Sequence, residues 1–131
     1  MTKASGTFEV KMTPQAPDAA DSSGIGRLLL DKVFKGDLDA TSKGQMLAMG
    51  TAIEGSAGYV AMEHVSGALK GNEGTFALQH IGKMIRGTPE LNVTVVPDSG
   101  TAALAGLSGK MQIIIANGKH LYEFDYELAD K

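Results

Sequence analysis

The sequence predicts an all-β protein: a closed eight-stranded antiparallel up-and-down (meander) barrel with one short helical turn between strands six and seven. Three observations carry this reading. Glycine is spread along the whole chain, 17 in 131 residues, while proline is confined to Pro14, Pro17, Pro89 and Pro97. Between these breakers lie short runs rich in β-formers, at the spacing of a barrel or sandwich. The connections are mostly tight, so consecutive runs pair as hairpins, and a meander of eight strands can close and remove its edges.

The first strand is expected over residues 6–13, where Phe8, Val10 and Met12 alternate with polar residues. Residues 14–24, PQAPDAADSSG, carry no large apolar side chain and are expected to form the most mobile surface loop. The second strand spans 25–35. Its RLLLDKVF stretch lacks clean alternation, which leaves the faces of Arg27 and Lys32 open. KGD at 35–37 turns the chain into a third strand over 38–52, and EG at 54–55 turns it into a fourth over 57–70. GN at 71–72 reads as a two-residue turn into a fifth strand over 73–86, followed by a sixth over 90–96. In PDSGTAALAGL, residues 97–107, Ser99 or Thr101 is expected to cap a single helical turn at 101–105 that closes one barrel end. Its glycines lack the lysine of a phosphate-binding loop. NG at 117–118 joins a seventh strand over 108–116 to an eighth over 119–128 and is the strongest hairpin signal in the chain.

Composition bounds the function. The length fits one domain, residues 1–131, and 43% apolar with 21% charged residues is the balance of a soluble globule. A net charge of −3 with no basic run argues against nucleic acid or an anionic membrane surface as partner. The absence of cysteine removes disulfides, thiol catalysis and thiolate metal sites. MTKASGTFEVKM has no apolar core of signal-peptide length, and no apolar run reaches the roughly 20 residues of a membrane helix, so a cytoplasmic location is expected.

Side chains alternate across a strand, so adjacent Glu63 and His64 in SAGYVAMEHVSG cannot both enter one cavity. With GN as the turn, Lys70 faces Glu73, Val65 faces Leu78 and Glu63 faces His80. Glu63 and His80 are then inside, and His64 is outside. With NG as the turn, Ile115 faces His120, Ile113 faces Tyr122, Met111 faces Phe124 and Gly109 faces Tyr126. The other face pairs Lys110 with Asp125 and Gln112 with Glu123, as cross-strand charge pairing favours. The interior is therefore apolar, with polar tips from Tyr59, Glu63, His80, His120, Tyr122 and Tyr126. That is the make-up of a site for a small, mostly apolar molecule, and a filled core is the competing reading. Glu63 with His80 is the candidate acid–base pair if the protein is an enzyme. His64 points out and His80 and His120 lie on distant strands, so no metal and no cofactor is expected. Leu47, Met49, Val60, Met62 and Ile81, joined by Ile85, form an outward apolar patch around His64. It is expected to be a homodimer interface.

KGDLDATSKGQML, SAGYVAMEHVSGALKGNEGTFALQH, VVPDSGTAALAGLSG and GKHLYEFDYEL resemble an uncharacterised bacterial domain-of-unknown-function family with an allene-oxide-cyclase-like β-barrel. The resemblance implies a closed eight-stranded meander and no assigned activity. AGYVAMEHV is more distantly similar to plant allene oxide cyclases. Those enzymes cyclise a fatty-acid epoxide in an apolar barrel, which would imply an isomerase or cyclase acting on a lipid-like substrate. Glu9 lies near the place of their first-strand glutamate, though alternation turns it outward, and Tyr59 lies nearest their cavity cysteine.

Overall fold

The computed structural model describes residues 1–17, 20 and 22–128. In order they form β1 (Thr2–Pro14), β2 (Gly26–Gly36), β3 (Leu38–Gly50), β4 (Ala57–Leu69), β5 (Asn72–Ile85), β6 (Thr88–Val95), a 3-10 turn (Ala102–Leu104), β7 (Leu107–Ala116) and β8 (Lys119–Leu128). Each strand pairs antiparallel with its chain neighbours, and β1 pairs with β8 to close the barrel. β1 begins four residues earlier than the sequence predicts because residues 2–5 pair along β8. The loop expected to be most mobile, 14–24, lies partly outside the described residues.

Alternation selects one residue in two for the interior. Phe8 lies opposite both Phe34 and His120, and Met111 lies opposite both Val93 and Phe124. The resulting core of Phe8, Phe34, Leu38, Val65, Leu69, Phe76, Leu78, Leu107 and Phe124 is buried. Apolar burial of this kind contributes about 25 cal/mol per Å² and dominates the stability of such a domain.

The turns after β2, β4 and β6 lie at one end of the barrel, and this end is closed. Leu104 of the 3-10 turn is buried in the core. The segment leading to it replaces a strand beside β5: Val96 N–H donates to Ala77 O at 2.9 Å and Thr101 N–H to Thr75 O at 2.9 Å. Ser99 and Thr101 do not cap the turn with their side chains. Their hydroxyls accept from the backbone N–H groups of Ala77 and Thr75 instead, both at 3.0 Å. This is possible because Gly74 faces the crossing chain; a Cβ there would run into the Thr101 carbonyl.

Tyr122 clamps the same end. Its hydroxyl accepts from Leu38 N–H at 2.9 Å and donates to Lys35 O at 2.9 Å, which fastens the β2–β3 turn to β8. Tyr122→Phe leaves a buried N–H without its acceptor and is expected to cost about 1–3 kcal/mol, measured by urea denaturation. A cost below a few tenths of a kcal/mol would show that the clamp is replaceable.

Three of the hairpin turns place two residues at positive φ, the geometry that matches strand twist. They are Lys70–Gly71, Arg86–Gly87 and Asn117–Gly118. The NG hairpin has the predicted register throughout. The β4–β5 hairpin does not. Its turn is Lys70–Gly71, not GN at 71–72, so Leu69 faces Asn72, Val65 faces Phe76 and Glu63 faces Leu78. Gly71 takes the second turn position at φ 86°, where the other reading would have placed Asn72. The slip is two residues, so every side chain keeps its face.

β6 and β7 meet only through Val93–Met111 and Thr94–Lys110. Toward the other end of the barrel β6 keeps β5 as its partner and β7 keeps β8, so the wall is thinnest there.

Candidate functional site

At the end opposite the 3-10 turn, side chains on the inward-facing positions are exposed. Met12, Met84, Leu91 and Ile115 share the parity of the buried Phe8, His80, Val93 and Met111 on their own strands, yet are 52%, 42%, 39% and 71% exposed. No loop among the described residues covers them. Val10, Tyr59 and Ile113 lie one step deeper and are partly buried. This is an open, apolar mouth.

Beneath it sit the buried polar side chains Lys32, Ser42, Glu63 and His80, none more than 7% exposed. They converge on the Glu63 carboxylate. Oε2 accepts from Lys32 Nζ at 2.8 Å and from His80 Nε2 at 2.6 Å, and Oε1 accepts from Ser42 Oγ at 2.9 Å. The positions follow from local pairing. Lys32 faces Ser42 across β2–β3, and Ser42 faces Val65, the next inward residue of β4 after Glu63. Opposite Glu63 on β3 stands Gly44, whose Cβ would collide with Glu63. His80 is two residues beyond the Leu78 that faces Glu63 and reaches it diagonally along the same face.

Burial pushes the Glu63 carboxyl up, but the bonds from His80 and Lys32 and their charges outweigh it and bring it to about 2. Glu63 is therefore ionised near neutral pH, and the 2.6 Å bond places a proton on His80 Nε2. The Lys32 ammonium also lies over the Phe8 ring, 4.9 Å from its centroid, and 5.9 Å from that of Phe34. Tyr59 covers the cluster from the mouth side, its ring 6.3 Å from that of His80, and both burial and the Glu63 charge raise its hydroxyl. The Tyr59 ring lies against Gly82, where any side chain would displace it.

Of the candidate site residues, the structure brings Tyr59, Glu63 and His80 together. His120 lies tilted against Phe8, with centroids 5.0 Å apart, and makes no bond to Glu63. Tyr122 and Tyr126 belong to the closed half, Tyr122 as the turn clamp and Tyr126 against Phe124. Glu9 is exposed on the outer wall, as is His64. Sequence reasoning left the face of Lys32 open and missed Ser42. Phe34 held the signal: once its aromatic ring is assigned inward, period two carries Lys32 and Leu30 in with it. Among the described residues no three His, Cys, Asp or Glu side chains converge as metal ligands, and the fourth corner of the cluster is an ammonium.

The outer wall carries Leu47, Val60 and Ile81 in one cross-strand row, with Met49 and Met62 beside it, all about half exposed.

The profile of a family described as protein of unknown function (DUF3224) matches residues 4–126. Among solved structures, a protein of unknown function from the same family, from Shewanella oneidensis MR-1, is 49% identical. The match covers 100% of this chain and 99% of that one, with a TM-score of 0.93. No curated protein matches the chain. A profile spanning nearly the whole barrel and a near-superimposable relative lead to one statement: the chain belongs to the DUF3224 family.

Proposed function

We propose that this protein binds a small, mostly apolar molecule at the open end of its barrel. The observation that supports this is the ring of exposed apolar side chains on inward-facing positions, Met12, Met84, Leu91 and Ile115, above a buried charged floor. Exposed apolar surface of this kind is costly in water and is characteristic of ligand or partner sites. Native mass spectrometry of protein purified from cells tests it. A retained small molecule, lost on Met84→Asp with Leu91→Asp, is the expected result. A bare polypeptide mass from gentle purification, with no added apolar probe bound, overturns the reading.

A structural clasp is the second reading, favoured by one observation. Among the described residues no buried side-chain nitrogen or oxygen lacks a partner, so the floor holds together without a ligand. In that reading the mouth is simply unfilled.

An isomerase or cyclase acting on a lipid-like substrate, in the manner of the allene oxide cyclases, is less well supported. Glu63 is engaged by three side chains and held ionised at about 2, which makes it a poor proton donor near neutral pH. The first-strand Glu9 lies outside the barrel.

The outer row of Leu47, Val60 and Ile81 supports association with a second copy of this chain. Light scattering at micromolar concentration is expected to give a dimer, and Val60→Glu with Met62→Lys a monomer. A monomeric parent chain would remove this part of the proposal.

A further inference from the structure

The Lys32 ammonium carries three N–H donors, and among the described residues its only hydrogen-bond acceptor is the Glu63 carboxylate. Phe8 and Phe34 lie on its closed-end side, so their rings occupy the face away from the mouth. A buried ammonium with three donors and one carboxylate acceptor is a hydrogen-bonding handle for an oxygen that enters from the mouth.

Charge balance selects what that is. Lys32 and Glu63 already cancel as a buried ion pair. A carboxylate head would place a second negative charge beside Glu63, and an alkylammonium a second positive charge beside Lys32. Each is disfavoured by like-charge repulsion on top of the cost of burial. The Glu63 oxygens are engaged by Lys32, His80 and Ser42, so a donor-only head finds them occupied. Among uncharged heads, a carbonyl or hydroxyl oxygen accepts from the ammonium and adds no net charge, but only the carbonyl brings no O–H of its own to be satisfied where the Glu63 oxygens are already engaged.

We propose that the ligand at the open end presents an uncharged carbonyl oxygen to Lys32: a small apolar ketone, aldehyde or ester. The inference rests on the binding reading above, and the two fail differently. Affinities of 2-heptanone, 1-heptanol, heptanoate and heptylamine are measured by calorimetry on the full chain. The ketone is expected to bind about tenfold more tightly than either charged analogue, the scale of one hydrogen bond to a charged group, and more tightly than the alcohol. Lys32→Met with Glu63→Leu, which removes the ion pair as a unit, is expected to abolish that preference. In addition, the carbonyl stretch of carbon-13-labelled 2-heptanone is expected to move to lower frequency on binding to the unaltered protein, a readout that needs no variant. Four equal affinities, tighter binding of the carboxylate, a preference that survives the double substitution, or an unmoved stretch each overturn the proposal and leave apolar binding standing. If none of the four binds, both fall.

Discussion

Lys32→Met is expected to lower the unfolding free energy by about 3–5 kcal/mol, the range seen when one member of a buried ion pair is removed. Glu63 is 2% exposed and would keep His80 and Ser42 but lose the group that neutralises it. The cost comes from the charge left behind rather than from the bond removed. That distinction gives a second, sharper expectation: Lys32→Met combined with Glu63→Leu should recover most of the lost stability, because no unpaired carboxylate remains. His80→Ala should destabilise too, by less than Lys32→Met, since the Lys32 partner stays in place. Glu63→Gln should also be costly, because the amide still accepts from its neighbours but leaves the buried Lys32 ammonium without its counter-charge. Chemical denaturation of the four variants checks the order. Equal losses for the single and double substitutions would show that packing, not charge, governs the cluster.

Acid should destabilise the protein through the same residue. The Glu63 carboxyl titrates at about 2 in the folded chain against an ordinary value of 4.5. Its folded value is depressed, so its contribution is complete above the unfolded value and is lost as pH falls toward the folded one. The window is therefore about pH 5 down to about pH 2, and the loss about 3 kcal/mol. Glu63→Gln removes this titration. Its stability should fall less steeply than the parent's across that window, and the two curves should run parallel above about pH 6. Denaturation midpoints measured against pH decide it. Parallel curves between pH 5 and pH 2 would mean that Glu63 is not held ionised by its partners.

The barrel was legible in the sequence because its signals are local. NG at 117–118 sets both turn geometry and register, and the alternation of Tyr122, Phe124 and Tyr126 against Glu123 and Asp125 names the inner face. The β4–β5 turn was less legible because KGN contains two overlapping turn candidates, Lys70–Gly71 and Gly71–Asn72. Alternation cannot choose between them, since a slip of two preserves every face. For the same reason the Glu63–His80 contact was legible while its geometry was not: two inward groups two residues out of register still reach each other diagonally.

Lys32 was hidden for a different reason. Leu28, Leu29 and Leu30 run without alternation, so β2 has no internal phase, and only pairing with Phe8 and Ala40 assigns its faces. Ser42 was silent because it sits beside Thr41, and a pair of adjacent hydroxyls does not say which faces inward. The roles of Ser99 and Thr101 depended on a crossing beside β5 that no local rule foretells. Tyr122 was correctly assigned to the interior, but its hydroxyl is spent on a turn more than 80 residues away, a contact that only closure of β1 on β8 creates.

An apolar molecule is proposed to sit at the open end. Methyl-resolved NMR with 2-heptanone tests this directly, because the mouth is rich in isoleucine, leucine, valine and methionine methyl groups. The predicted result is intermolecular nuclear Overhauser contacts from the probe to Met12, Met84, Leu91 and Ile113, with the Val60 and Ile81 methyls of the outer wall unmoved. Contacts confined to the outer wall, or none at saturating probe, would contradict it.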